Sequence, residues 1–337
     1  RNNIYIYYNM EKIREKMEKQ INVRTGRSRA QSTIRAYISQ LRKLHLTLFD
    51  KPMEDAYWLA DTELMFKSIA DKKLSTATNI LSAAIAGLET IGNQMDGVIE
   101  IYRKRISENG GQLFNKSIEQ KKSIRENDNW CKLSELQAVA NSYKRELNRR
   151  KTFTKTPETL QPAERELLKA WLVASLYTID PVNNPPLRAD YAMMQIIKKK
   201  EYDELLKTDA LTGNYLVVKS GHKKFFCLGA YKTLNTYGIK NIPLGSKLNG
   251  VLNKFLKLHD KPYLIYNCTQ RKPLDTNSFG KLVTRVFEPT GKNVNINLLR
   301  HIVISEFDDG PPLKDKIELA DKMCHGVGVQ ATYVKID

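Results

Sequence analysis

Between Asn115 and Asp128 the chain reads NKSIEQKKSIREND, a charged, polar run in which no apolar residue recurs at helical or strand spacing. Such a run supplies no core face, so the apolar surface on either side of it must be buried separately. It reads as a linker, the kind of segment at which domain boundaries fall. At 337 residues the chain is also too long for one small core. The expected organisation is an N-terminal basic segment over 1–23, a helical domain over 24–108, a linker over 109–128 and a second domain over 129–337.

Periodicity fills in these regions. In STIRAYISQLRKLHLTLF, Ile34, Tyr37, Ile38, Leu41 and Leu44 recur at three- and four-residue steps behind Ser32 as N-cap, while Arg35, Arg42 and Lys43 take the other positions. A second helix is expected from about Ser75, with Ile80, Leu81, Ala84, Ile85 and Leu88 on one face, and Asn109, Gly110 and Gly111 read as a helix stop. Beyond the linker, KLSELQAVANSYKREL and PAERELLKAWLVASLY are helical patterns, with Pro162 in a first turn. From Gly213 the pattern shortens. YLVV, KKFFCLG and NIPL predict a three-stranded antiparallel sheet, after which helical patterns return in KLNGVLNKFLKLH, NSFGKLVTRVF and NINLLRHIVISEF. The expected fold class is mainly α with a small antiparallel β-sheet (α+β).

Fifty-five basic residues against 37 acidic leave a formal charge of +18, which points to a polyanionic partner, nucleic acid first. Cys131, Cys227, Cys268 and Cys324 form no C-x-x-C pair, so neither a disulfide framework nor a zinc site is expected, and a reducing compartment fits. The longest uncharged apolar stretch, Leu74 to Leu88, is too short and too polar to span a bilayer, and no signal peptide is visible. A soluble intracellular protein that works with DNA is the expectation, with no membrane contact.

Five polar residues of the second domain stand out by context. Arg188 follows Pro185 and Pro186 in NNPPLRADYAMM, with Asp190 as a candidate orienter. Lys232 enters a loop in AYKTLNTYGIKNIPL; Lys223, Lys224 and Lys240 compete with it, but only Lys232 is followed by Thr before that loop. Arg300 sits among Leu298, Leu299, Ile302 and Val303, where an unpaired guanidinium is too costly to be casual. His325 and Tyr333 lie eight residues apart in MCHGVGVQATYVKID. His45, His222 and His259 read as structural.

Arg188, Lys232, Arg300, His325 and Tyr333, in this order, resemble the tyrosine recombinase (integrase) superfamily, whose catalytic fold is shared with type IB topoisomerases. LRAD resembles its first arginine box, KT before a strand ending in IPL its lysine hairpin, NLLRH its H-x-x-R-H box, and CHGVGVQATYVK its terminal G-H…Y box. The helical STIRAYISQLRKLH region resembles its core-binding domain, and the PPLRAD form looks most like integrases of giant DNA viruses, virophages and eukaryotic mobile elements. The resemblance implies a DNA recombinase that integrates or exchanges strands through a 3′-phosphotyrosyl intermediate, as a tetramer of this chain on two double-stranded DNA segments, with no metal, no ATP and no other cofactor.

The implied roles make chemical sense. A phenol of ordinary pKa of about 10 is a poor nucleophile at neutral pH, and cationic surroundings favour its phenolate. Two arginines suit the non-bridging phosphate oxygens, and a lysine suits protonation of the leaving 5′-oxygen. The pattern departs at Asn297, where the family most often has histidine: an amide donates a hydrogen bond but cannot carry a proton. His301 is no simple substitute, since one residue turns a helix by about 100°, and it reads as a packing or phosphate-side neighbour. Lys198, Lys199 and Lys200, and Arg24, Arg27 and Arg29, are candidate backbone-phosphate contacts alongside Arg35, Arg42 and Lys43. Two rival readings remain: a type IB-like topoisomerase, or a DNA-binding protein with this fold and reduced or no activity.

Overall fold

The computed structural model describes residues 2–22, 26–220, 223–267, 272–308 and 313–335, and the chain divides into two compact units between Glu119 and Gln120. Fold class is as expected, mostly helical with a small sheet in the second unit, although that sheet carries an unforeseen strand.

The first unit runs α1 (Asn2–Lys19), a short ribbon of β1 (Ile21–Asn22) and β2 (Arg27–Ser28), α2 (Gln31–Phe49), α3 (Thr62–Ile69), α4 (Leu74–Glu89) and α5 (Asp96–Ile118). Its core centres on α4, whose small and aliphatic residues are buried nearly all round. Ile34, Leu41 and Leu44 of α2 pack here, as the three- and four-residue spacing requires, and so do Ile13 and Met17 of α1. The N-terminal basic segment therefore contributes to this core. Gly87 permits close approach: a Cβ there would lie 2.6 Å from Leu59 Cδ1. Helix α2 begins behind Ala30 rather than Ser32.

The expected stop at Asn109-Gly110-Gly111 does not end α5, which continues to Ile118. Two helical glycines cost about 1 kcal/mol each against alanine. Ile99 and Tyr102 anchor the helix upstream, and buried Asn109 donates from Nδ2 to Thr78 Oγ1 at 3.2 Å. Tertiary contacts here override a local breaker.

The second unit begins with α6 (Ile124–Asn129), inside the stretch expected as linker. A capping box starts it: Ser123 N–H donates to Glu126 Oε2 at 2.8 Å while Ser123 Oγ accepts from Glu126 N–H. Then come α7 (Leu133–Arg149) and α8 (Pro162–Thr178), packed against each other, with Pro162 at the first turn of α8 and its second half, Trp171 to Thr178, buried. After them follow β3 (Gln195–Lys198), α9 (Lys199–Lys207), β4 (Asn214–Val218), β5 (Lys224–Leu228), α10 (Leu234–Tyr237), β6 (Lys240–Pro243), α11 (Ser246–Leu256), α12 (Thr276–Val286), α13 (Ile296–Asp308), α14 (Leu313–Lys322) and α15 (Val327–Ala331).

The sheet has four strands in the order β3-β4-β5-β6, antiparallel except that β3 runs parallel to β4. The added strand is β3, Gln195–Lys198, which lies before the three runs expected as strands and is fixed from its other side by Ile196 N–H to Pro262 O at 2.7 Å. Its four residues are too few to display a period. Side chains alternate across the sheet: Leu216, Phe226, Leu228 and Ile242 join the main core, while Tyr215, Val217, Phe225 and Cys227 pack with Tyr202 and Leu211. Among the described residues, no helix is long and apolar enough to cross a membrane.

Candidate active site

All the residues of the candidate site lie in the second unit. Arg188 precedes a 3-10 turn, Ala189–Tyr191, in the loop that leaves α8. Its backbone is held at both ends: its N–H donates to Asp190 Oδ2 at 3.1 Å, and Tyr177 Oη donates to its carbonyl at 3.0 Å. Asp190 thus grips the backbone of the arginine it was expected to orient. Burial raises the Asp190 pKa, opposed by the charges of Arg188 and Arg300. Asn214 clamps this loop to the exit of β5, donating to Asp190 O at 3.0 Å and accepting from Ala230 N–H at 2.9 Å.

Beyond Leu228 the chain passes close to the approach to β4, where only glycine fits. A Cβ on Gly229 would lie 2.7 Å from Gly213 O and 3.0 Å from Leu211 O. Lys232 follows, exposed, in the turn before α10. Thr233 Oγ1 donates to Cys324 O at 2.9 Å, which docks the lysine turn on the residue before His325. Of the competing lysines, Lys240 is paired with Asp321, and Lys224 is buried at the far end of β5.

The position of His325 follows from how α14 ends. Cys324 N–H donates to Asp321 O at 3.0 Å and His325 N–H to Ala320 O at 3.1 Å, with Cys324 at φ 56°. This is a Schellman cap with cysteine where glycine is usual. The turn sends the buried imidazole inward, parallel to the Tyr333 ring at 8° with centroids 5.4 Å apart. His325 Nδ1 lies 3.3 Å from Gly326 O, and a carbonyl accepts, so in the neutral ring Nδ1 carries the proton. Nε2 is then a lone-pair acceptor, buried and without a partner. Burial, then the charges of Arg300 and Arg188, bring the His325 pKa down to about 4, against the pull of the Gly326 carbonyl.

Tyr333 follows α15 in a segment held along α13. Val334 packs with Ile304 and Met323, Lys335 N–H donates to Ser305 Oγ at 2.8 Å, and Gln120 Nε2 donates to Ala331 O at 2.9 Å. His301 Nδ1 donates to Tyr333 O at 2.9 Å, and the two rings lie 4.9 Å apart. On its other side His301 Nε2 is 3.7 Å from Glu126 Oε1.

Arg300 completes the cluster. It is 0% exposed, its Cζ lies 4.7 Å from the centroid of the Tyr333 ring, and Nε, Nη1 and Nη2 have no hydrogen-bond partner. Burial lowers its pKa and so does Arg188, while Tyr333, Asp190 and Tyr177 act in the opposite sense. Leaving a buried charged donor unsatisfied costs more than the 1–3 kcal/mol or so of a neutral one. Four unpartnered nitrogens, three of Arg300 and one of His325, therefore converge beside a phenol ring and a second arginine.

Asn297 is not brought in with them. It is exposed, one helical turn before His301, and lines a hollow of about 280 Å³ with Glu126 and His301. Sequence reasoning missed Tyr177, Asn214 and Glu126, whose contacts span long separations; only Glu126 carried a local signal, the Ser-x-x-Glu box.

Among the candidate phosphate contacts, Arg35, Arg42 and Lys43 are exposed on α2, and Lys198 and Lys200 are exposed on their strand and helix. Lys199 pairs with Asp203 at 2.5 Å. Arg29 is turned inward: its side chain is 7% exposed and ion-paired with Glu89, which accounts for its charge inside the first unit. Arg24, His222 and Cys268 lie outside the described residues, as does the side chain of Arg27. No group of three or more His, Cys, Asp or Glu residues could hold a metal ion among the described residues.

No family model matches this chain, and no curated protein does. Four chains of solved structures match. One, described as the crystal structure of XerA recombinase, is 10% identical over 98% of this chain and 94% of its own length, with a TM-score of 0.38. A likeness at that TM-score does not establish a shared fold.

Proposed function

We propose that this chain cuts and rejoins DNA strands by passing a phosphoryl group through Tyr333, as a site-specific recombinase or integrase. The observation that carries this reading is the Arg300 guanidinium, fully buried with three unpartnered nitrogens against the face of the Tyr333 ring. A phosphodiester offers what these groups lack: two anionic oxygens for Arg300 and Arg188, and an electrophile for the phenol.

For the phosphate to reach Arg300, the Tyr333 ring moves off the guanidinium face and turns its oxygen in line. The Tyr333 Oη–P bond then forms as the P–O5′ bond breaks. The phenol proton passes to His325 Nε2, the acceptor that Asn297 cannot be. Lys232 protonates the departing 5′-oxygen. The imidazolium so formed hydrogen-bonds a phosphate oxygen, and the arginines balance the charge that builds on phosphorus. Attack by a 5′-hydroxyl reverses each transfer and frees Tyr333. Exposed Arg35, Arg42 and Lys43 on α2 give the first unit its own backbone contacts, which favours a recombinase over a topoisomerase. Family resemblance extends the reading to four copies of the chain on two duplexes, without metal or ATP.

Nicked duplexes of randomised sequence, cut so that the released 5′-strand diffuses away, test this directly. The expected product is a denaturant-resistant adduct whose peptide map places DNA on Tyr333. No adduct from the native chain, or an adduct that survives Tyr333→Phe, overturns the reading. Efficient relaxation of plasmid by a monomer would replace it with the topoisomerase.

A further inference from the structure

At the opposite end of β5 from the candidate site lies a second basic feature. A cleft of about 740 Å³ opens between the β4–β5 hairpin, β6 and the first turns of α11. Lys199, Lys219, Lys223 and Lys224 line it; among the described residues the other lining groups are aromatic, aliphatic, amide or hydroxyl, and none is a carboxylate. Strand register explains the concentration. Val218 pairs with Lys224, and Lys219 N–H donates to Lys223 O at 2.8 Å, so the hairpin end sets Lys219 beside Lys223.

The four lysines differ in their freedom. Lys199 is paired with Asp203, and Lys224 is 4% exposed with its ammonium directed at Asn253 Oδ1. Burial lowers the Lys224 pKa, so a bound anion would stabilise its charged form. Lys219 lies over the Phe225 ring, 5.0 Å from its centroid, which stiffens a long side chain at the cleft mouth, and Lys223 is exposed. A concave site lined by lysine and lacking acid focuses a positive field and attracts polyanions.

We infer that this lysine cleft is a second phosphate-binding site, which holds the backbone of the same DNA duplex away from the cleaved phosphate. The inference rests on duplex DNA being the substrate. Scale supports it. Lys224 to Leu228 spans about 13 Å at the usual strand rise, and duplex phosphates recur every ~3.4 Å of axis per strand. The length of β5 thus corresponds to about four base steps of a duplex lying along it. Lysine, as a flexible point charge, suits such sequence-independent holding, whereas the arginines of the candidate site suit bidentate grip.

The test is the salt dependence of binding to a duplex of random sequence, with full-length Lys219→Ala/Lys223→Ala compared with the native chain. Both residues are exposed and neither belongs to the proposed machinery. Each lost phosphate contact should reduce the slope of log affinity against log salt by about 0.9, so a decrease of about 2 is expected. Affinity should fall ten- to a hundredfold at moderate salt, while adduct yield at saturating protein stays unchanged. Lys207→Ala, exposed at the end of the neighbouring helix α9 but not lining the cleft, should leave the slope nearly as it is. An unchanged slope in the double variant overturns the inference, including the case of a cleft that takes small polyanions instead. Failure of the proposed function reads differently: native protein then forms no Tyr333 adduct, whatever the slope.

Discussion

Tyr333 covers Arg300: the phenol ring lies over the guanidinium, 4.7 Å from centroid to Cζ, and the arginine has no exposed surface. In this arrangement the proposed nucleophile and the proposed phosphate clamp shield each other. A cation–π contact of this kind is worth about 2 kcal/mol when desolvated, and under the proposed mechanism DNA binding displaces it. Tyr333→Phe keeps the ring and removes the oxygen, so it should abolish the adduct and leave non-covalent affinity within about twofold. Tyr333→Ala removes both and should bind duplex DNA several-fold more tightly. Anisotropy titrations at fixed salt check this. Equal affinities for the two variants would mean that the ring does not gate the clamp.

A guanidinium buried without a hydrogen-bond partner beside Arg188 should lower the stability of the DNA-free protein. Arg300→Met, similar in reach and uncharged, should therefore raise it by about 1–3 kcal/mol. In a unit of this size that is about 2–4 °C in Tm for each kcal/mol. The same variant should form no adduct. Calorimetry without DNA, together with the nicked-duplex assay, measures both. A lowered Tm would show that Arg300 holds the fold together and would count against a clamp kept open for phosphate.

His325 supplies a pH signature. Burial, with Arg300 and Arg188, holds its pKa at about 4, below the ordinary histidine value of about 6.5. Between these values the unfolded chain binds the proton and the folded chain resists it. The contribution of His325 to stability is therefore complete above about pH 6.5 and is lost as pH falls towards 4. The native protein should lose more Tm over that interval than His325→Gln. Parallel curves for the two proteins would show that the imidazole is not held neutral.

How far these features could be read beforehand depended on the range of the contact. The helices α2, α4, α7 and α8 announce themselves through apolar period, and Arg300 and Arg188 through charge in an apolar or proline-stiffened context. Strand β3 and helix α6 did not. Four residues of QIIK are too few for a period, and the capping box of α6 was masked by the polar composition around Ser123 and Glu126. Gly110 and Gly111 carry a local stop signal that the packing of α5 overrules. The grip of Tyr177 and Asn214 on the Arg188 loop leaves no periodic trace, because each contact joins residues more than ten positions apart. The inward pairing of Arg29 with Glu89 spans 60 positions and is invisible in the same way.

Lys232 is placed by glycine. Gly229 approaches Gly213 O so closely that a methyl group there would collide with backbone at 2.7 Å, and the turn that follows carries Lys232 to the Cys324 carbonyl through Thr233. Gly229→Ala should shift that turn while the lysine itself remains. If Lys232 protonates the departing 5′-oxygen, Gly229→Ala and Lys232→Ala should both slow adduct formation by about 10²–10⁴-fold, the usual contribution of a general acid. A duplex whose scissile 5′-bridging oxygen is replaced by sulfur has a leaving group that needs no proton. On it both variants should recover to within about tenfold of the native rate. Recovery of Lys232→Ala alone would show that Gly229→Ala damages more than the lysine turn. Recovery of neither would remove Lys232 from the acid role.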